Sequence, residues 1–325
     1  MKETAQKLIA FGKGILAADE STRTIDERFG AVGIPSTPET HRKYRQMLLT
    51  TPGIENFLGG VIFFDETVRQ RLGDETFPEY LVGRGIIPGI KVDEGLEPFN
   101  GTEEKITRGI ETLNDRLKEY GQMGLKFTKW RAAISISDIF PSDPFLAENM
   151  ERMAAFAEIS QQNNFVPIVE PEILLKGTHT TTRCGEIETK VLQVLFEKLK
   201  SKNVDLENLF LKTSMVLPGE GSGVKAEPLE VAHATLRALK KSVPPEVAGI
   251  VFLSGGQTPD EAMNNLNEIV KLKGDVPWEI SFSFARALQE EAMREWAGKD
   301  ENVPAAQETF IKRLEEVSKA RNGKL

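Results

Sequence analysis

The segment NLFLKTSM, residues 208–215, is a short apolar run with a lysine in its middle. Its length and composition fit a buried strand. A lysine in such a place is costly, because its ammonium loses its hydration shell on burial. Seven other segments share the length and the apolar character. They are GILAAD (14–19), GGVIFF (59–64), IIPGIKVD (86–93), LKFTKWRA (125–132), FVPIVEPEI (165–173), GIVFLSGG (249–256) and WEISFSF (278–284). Amphipathic stripes fall between them: Ile106, Ile110, Leu113 and Leu117 are spaced as one helical face, and Val191, Leu192, Leu195 and Leu199 as another. TPDE at 258–261 reads as a capping box, with Thr258 as N-cap, Pro259 in the first helical position and Glu261 closing the box. STPE at 36–39 opens a helix in a similar way. Eight strands alternating with helices predict an α/β fold, the (β/α)8 TIM barrel. It should form one domain over residues 1–325, with an N-terminal helix, C-terminal helices and no long C-terminal tail. The rival is an open doubly wound sheet. That fold would favour a G-x-G-x-x-G turn after the first strand, which GKGILAADES lacks.

The composition, 40% hydrophobic and 28% charged, supplies a sizeable core and argues against disorder. A net charge of −8 argues against a nucleic-acid partner, yet leaves room for a local basic pocket. Cys184 is the single cysteine, so no internal disulfide can form, which suits a reducing compartment. The opening MKETAQKLIAF has no secretory core, and no run approaches the ~18 apolar residues of a membrane span. The expectation is a soluble, cytoplasmic protein.

In a barrel the active site lies at the carboxyl ends of the strands. Those ends carry Asp19 on the first strand, Lys91 and Asp93 on the third, Lys129 and Arg131 on the fourth, Glu170 and Glu172 on the fifth, and Lys212 on the sixth. Ser254, Gly255 and Gly256 follow on the seventh, and Arg286 stands just past the eighth. Residues two apart share a strand face, so three strands each present a pair of charges in one direction. A purely structural core would not repeat that desolvation penalty. A lysine among other cations in a dry site has its pKa lowered, and its free amine then attacks carbonyls to form a Schiff base. With Lys129 and Lys212 read as occupants of neighbouring strands, Lys212 is favoured as the nucleophile by its more apolar neighbours. Ser254, Gly255, Gly256 and Arg286 read as a phosphate site, since loops after the last two strands commonly bind phosphate. Ser21, Thr24, Arg28 and Lys91 could form a second anion site across the mouth. His41, His179 and His233 show no ligand spacing, so a histidine-held zinc is not expected.

With those residues in view, the chain resembles the class I, Schiff-base, fructose-bisphosphate aldolases. The match runs through GKGILAADEST, GGVIFFDET, GIKVDEG, KWR, VPIVEPEIL, LKTSM, FLSGGQ and FSFARALQ. The resemblance implies reversible cleavage of fructose 1,6-bisphosphate without cofactor or metal, in a homo-oligomer, commonly a tetramer. It implies Lys212 as the Schiff-base lysine, Glu172 as the acid–base residue of the carbinolamine steps and Glu170 as its partner. Lys129 would stabilise charge and Asp19 would handle the C4 hydroxyl. Arg131 and Lys91 would bind substrate, Ser254, Gly255, Gly256 and Arg286 the C1 phosphate, and Ser21, Thr24 and Arg28 the far phosphate. The alternatives are a Schiff-base aldolase for another sugar phosphate, such as sedoheptulose bisphosphate, and a non-catalytic barrel. Four departures stand out. Thr24 replaces a usual Ser. Ala285 replaces a frequent Gly, and would be strained if its φ were positive. Thr213 and Ser214 replace the usual Pro-Asn after the lysine. Tyr44, Tyr80 and Tyr120 all lie far upstream of the terminal tyrosine found in animal relatives, so another group is expected to protonate the enamine.

Overall fold

The computed structural model describes residues 1–325, and its centre is a closed parallel barrel of eight strands in chain order. The strands are β1 (Gly14–Ala18), β2 (Leu58–Phe63), β3 (Ile87–Lys91), β4 (Phe127–Ile134), β5 (Val166–Ile173), β6 (Phe210–Thr213), β7 (Gly249–Phe252) and β8 (Ile280–Phe284). Pairing of Ile15 with both Gly60 of β2 and Ser283 of β8 closes the ring. All eight expected segments are strands. They read as unbroken apolar runs because both faces are covered, the outer one by helices. The helix expected after TPDE runs Pro259–Leu272 with its capping box formed, and Thr37 caps Pro38–Leu49 with Thr40 closing that box.

Aromatic rings fill the barrel interior, and glycines make room for them. Phe127, Phe210, Ile15, Ile62, Ile168 and Val251 cluster there with Ala5, Leu8 and Ile9 from the N-terminal helix and its end, which plug the amino-terminal mouth. A Cβ on Gly89 would lie 2.4 Å from the ring of Phe127, its partner across the β3–β4 ladder.

One expectation fails. The stripe from Ile106 to Leu117 is not one helix. Ile106 belongs to a short strand, Lys105–Thr107, paired with Leu96–Pro98, and the helix begins only at Leu113. Gly109, at φ +111°, breaks the run between them. A second small hairpin pairs Arg71–Leu72 with Glu75–Thr76. Both hairpins stand in loops that leave carboxyl ends of strands, and the second in chain order lines the mouth through Leu96, Pro98 and Lys105.

Gly89→Ala should overpack the interior against Phe127 and lower stability by about 1–3 kcal/mol, read as a fall in the urea midpoint with an unchanged m-value. An unchanged midpoint would show that the ring has space to move.

Candidate active site

Four charged side chains meet where β1, β4, β5 and β6 open. Each is at least nine-tenths buried. Lys129 Nζ lies 2.9 Å from Asp19 Oδ2 and 2.6 Å from Glu170 Oε2. Lys212 Nζ lies 3.1 Å from Glu170 Oε1. The two lysines are therefore not on neighbouring strands. β5 runs between β4 and β6, and its Glu170 gives one oxygen to each ammonium.

This geometry corrects the like-charge argument for the lysines. Burial alone would raise the Asp19 carboxyl, but Lys129 and Lys212 overcome it and hold the group down to about 2. Burial likewise opposes ionisation of Glu170, and the same two lysines still keep it below the ordinary carboxylate range. For Lys129 the balance runs the other way. Desolvation would release its proton, but Asp19 and Glu170 push it above the ordinary lysine range. Lys129 is a fixed cation, which suits charge stabilisation and not nucleophilic attack.

The next layer out alternates in the same manner. Arg131 Nε donates to Glu172 Oε2, and both line the mouth. Burial disfavours the guanidinium charge, but Glu172 holds its proton above the usual range. Lys91 Nζ donates to Asp93 Oδ1 at 2.6 Å and sits over the Phe64 ring. Glu172 also faces β7: a Cβ on Gly255 would be 3.9 Å from its Oε1.

Past β7 the chain turns through Gly255 at φ +31° and Gly256 at φ +87°, which favour glycine. Gln257 N–H donates to Ser254 O, while the N–H groups of Gly255 and Gly256 have no acceptor within the chain. Arg286 is exposed and lines the same cavity of about 590 Å³ as Ser254, Gly255, Lys212 and Glu172. It opens the helix Arg286–Trp296, whose free N–H groups add positive field. Ala285 has φ −104°, so no glycine is required there and the feared strain is absent.

On the opposite side a cavity of about 1,010 Å³ is lined by Ser21, Thr24, Lys91 and Arg131, together with Arg23, Lys105 and Arg116. Ser21 caps the helix Thr22–Ala31 and lies 3.0 Å from the Thr24 hydroxyl. Arg28 stands apart from this group. Its guanidinium donates to buried Glu20, which also holds Arg45 at 2.7 Å, so Arg28 lines the 590 Å³ cavity from within an internal ion-pair network. Sequence reasoning gave no role to Glu20 or Ser283. Ser283 is buried, lines the same cavity as Ser254 and Gly255, and has its hydroxyl unpartnered. The period-two alternation of β8 was the available signal for it. Lys105 and Arg116 carried no local signal, because the hairpin and the start of its helix bring them to the rim.

No three His, Cys, Asp or Glu side chains are arranged to hold a metal ion. Cys184 is buried on a helix, where burial pushes its thiol up to about 12 and makes it unreactive.

Buried lysine and carboxylate side chains at the carboxyl end of a barrel are the equipment of an enzyme site, and of one that can handle carbonyl compounds through an amine. Comparison with known proteins narrows this. The family model for fructose-bisphosphate aldolase class-I matches residues 1–325. A probable fructose-bisphosphate aldolase class 1 of Xanthomonas campestris is 44% identical over 328 aligned positions, covering 100% of this chain and 98% of that protein. Fructose-bisphosphate aldolase C-B of Danio rerio is 44% identical, covering 100% of this chain and 90% of the relative. A solved structure of fructose-bisphosphate aldolase from Plasmodium falciparum, in complex with TRAP and a small-molecule inhibitor, superposes with a TM-score of 0.97 at 43% identity. It covers 99% of this chain and 94% of that one. The chain belongs to the class I fructose-bisphosphate aldolase family, and its activity is that of an aldehyde-lyase acting on a phosphorylated sugar.

The depressed Asp19 carboxyl makes an acid-stability prediction. Its folded value is near 2, and an unfolded Asp titrates near about 3.9. Its contribution of roughly 2–3 kcal/mol is therefore present above pH ~4 and is lost as pH falls toward 2. Asp19→Asn should flatten that part of the stability curve in urea titrations at stepped pH. An unchanged slope would show that Asp19 is not held by the lysines.

Proposed function

We propose that Lys212 is the Schiff-base lysine and that the surrounding residues divide the remaining steps between them. The observation that supports this most directly is the shared carboxylate: Glu170 touches both lysines, and Lys129 is fixed as a cation by a second carboxylate. Lys212 has one ion-pair contact against two for Lys129, which makes it the freer amine. It adds to the C2 carbonyl of the ketose to give a carbinolamine. Glu172, with Glu170 beside it, moves the protons that turn this into water and an iminium. Asp19, ionised and next to Lys129, takes the C4 hydroxyl proton. The C3–C4 bond breaks, its electrons pass to the iminium, and glyceraldehyde 3-phosphate leaves an enamine behind. Protonation at C3 and hydrolysis return dihydroxyacetone phosphate and free Lys212. No metal enters these steps.

The phosphates are assigned to the two sides of the mouth. The unfilled N–H groups of Gly255 and Gly256, with Ser254 and Arg286, take the C1 phosphate. Lys91, Ser21 and Thr24 take the other, with Arg131 between the two sides. Arg28 contributes from behind, since Glu20 already holds it. We further assign the protein to the cytoplasm, in keeping with relatives named cytosolic in Arabidopsis thaliana, and expect a homotetramer by resemblance to the family.

Steady-state kinetics test these roles. Lys212→Met should lower kcat by roughly 10⁴-fold or more while the protein stays folded. Arg286→Ala should raise KM roughly tenfold to a hundredfold through loss of a charge-assisted phosphate contact. EDTA should leave the wild-type rate unchanged. Activity surviving in Lys212→Met, or abolished by EDTA, would refute the assignment.

A further inference from the structure

The two residues after Lys212 are the chain's own departure, and both are put to use. Thr213, fully buried on β6, donates its hydroxyl to Glu188 Oε1 on the helix Thr181–Ser201 behind the barrel. Ser214 Oγ accepts the N–H of Ile173 at 3.0 Å and donates to its carbonyl at 3.1 Å. Ile173 directly follows Glu172 on β5. Lys212 thus sits on a strand end tied backwards to a helix and sideways to the strand that carries both catalytic glutamates.

Glu188 has no obvious structural reason to be a carboxyl. It is 2% exposed, forms no ion pair, and its Oε2 is buried without a partner. An apolar side chain would fill the space without the desolvation penalty. Asp143 and Glu151 of the adjacent helix Asp143–Gln162 are taken up by Lys190 and Lys198. Thr235 of the neighbouring helix Pro228–Ser242 accepts the N–H of Val216. Cys184, one turn earlier, is the titratable group whose thiol registers the Glu188 charge. The polar partner of Glu188 is therefore Thr213 alone.

We infer that Glu188 is a positioning residue for the reaction: acting through Thr213, and together with Ser214, it fixes the height and direction from which Lys212 enters the site. This rests on the reading of Lys212 as the Schiff-base lysine. Burial pushes the Glu188 carboxyl up to about 8, against the opposing hydrogen bond from Thr213. At neutral pH the group is an uncharged acid. A raised folded value means that stability falls as pH climbs from ~4.5 to ~8, and above ~8 an uncompensated charge stands behind β6.

The test is kcat and KM for Thr213→Val, Thr213→Ser and Glu188→Gln, beside thermal stability. Thr213→Val should lower kcat roughly tenfold with KM within about twofold, as expected of a small misplacement of a reacting group. Thr213→Ser should restore it. Glu188→Gln keeps an acceptor for the Thr213 hydroxyl, so its kcat should stay within about twofold of wild type. A wild-type kcat in Thr213→Val, even with a lowered melting temperature, would make the pair merely structural and overturn the inference. A wild-type protein that forms no borohydride-stable adduct with dihydroxyacetone phosphate at Lys212 would remove the premise instead.

Discussion

One carboxylate shared by two lysines is the constraint on which the rest depends. Glu170 lies on β5 with Lys129 on one side and Lys212 on the other. Three buried charges in contact are tolerable only if each has its partner at bonding distance, because an unpaired one is strongly destabilising. The barrel meets that demand through register. Lys129 pairs with Ile168 across β4 and β5, and Leu211 with Val169 across β5 and β6, so Glu170 stands beside Lys212 and one same-face step beyond Lys129. A slip of one residue on any of the three strands would turn its charge toward the helices.

That constraint also separates the roles of two residues that look alike in the sequence. Lys129 is locked between Asp19 and Glu170, and its proton is held firmly. Lys212 faces the cavity with one carboxylate contact and a strand end secured from two directions. The same fixed cation keeps Asp19 ionised, which is the state a base needs. Electrostatic pairing of this kind is already oriented before any substrate arrives, so little reorganisation is left for the reaction itself. The phosphate groups of a bisphosphate would then anchor the chain of the sugar on both sides of the network, with the β7 turn and Arg286 at one end and Lys91 at the other.

Much of this was legible in the sequence, for physical reasons. The eight strands show as apolar runs because both their faces are buried, and Asp19, Lys129, Glu170, Glu172 and Lys212 show as charges that such runs would not otherwise contain. Less legible was anything that depends on contacts between side chains. The strand assignment already set Glu170, on the fifth strand, between Lys129 on the fourth and Lys212 on the sixth, and the argument from like charge failed because it treated the two lysines as neighbours and left that carboxylate out. Ile106 mimicked a helical stripe because a three-residue strand is too short to show its own period, and only Gly109 marked the break. Arg28 was drawn to Glu20 by a contact that spacing along the chain cannot reveal. Thr213 and Ser214 were visible as departures, but their hydrogen bonds to Glu188 and Ile173 needed the packing.

The most direct test is a crystal structure of the protein treated with dihydroxyacetone phosphate and borohydride. The account predicts continuous density from Lys212 Nζ to C2 of the reduced adduct, with its phosphate on the N–H groups of Gly255 and Gly256 and the Arg286 guanidinium, while Lys129 keeps both its carboxylates. An adduct on Lys129, or a phosphate bound elsewhere, would contradict it.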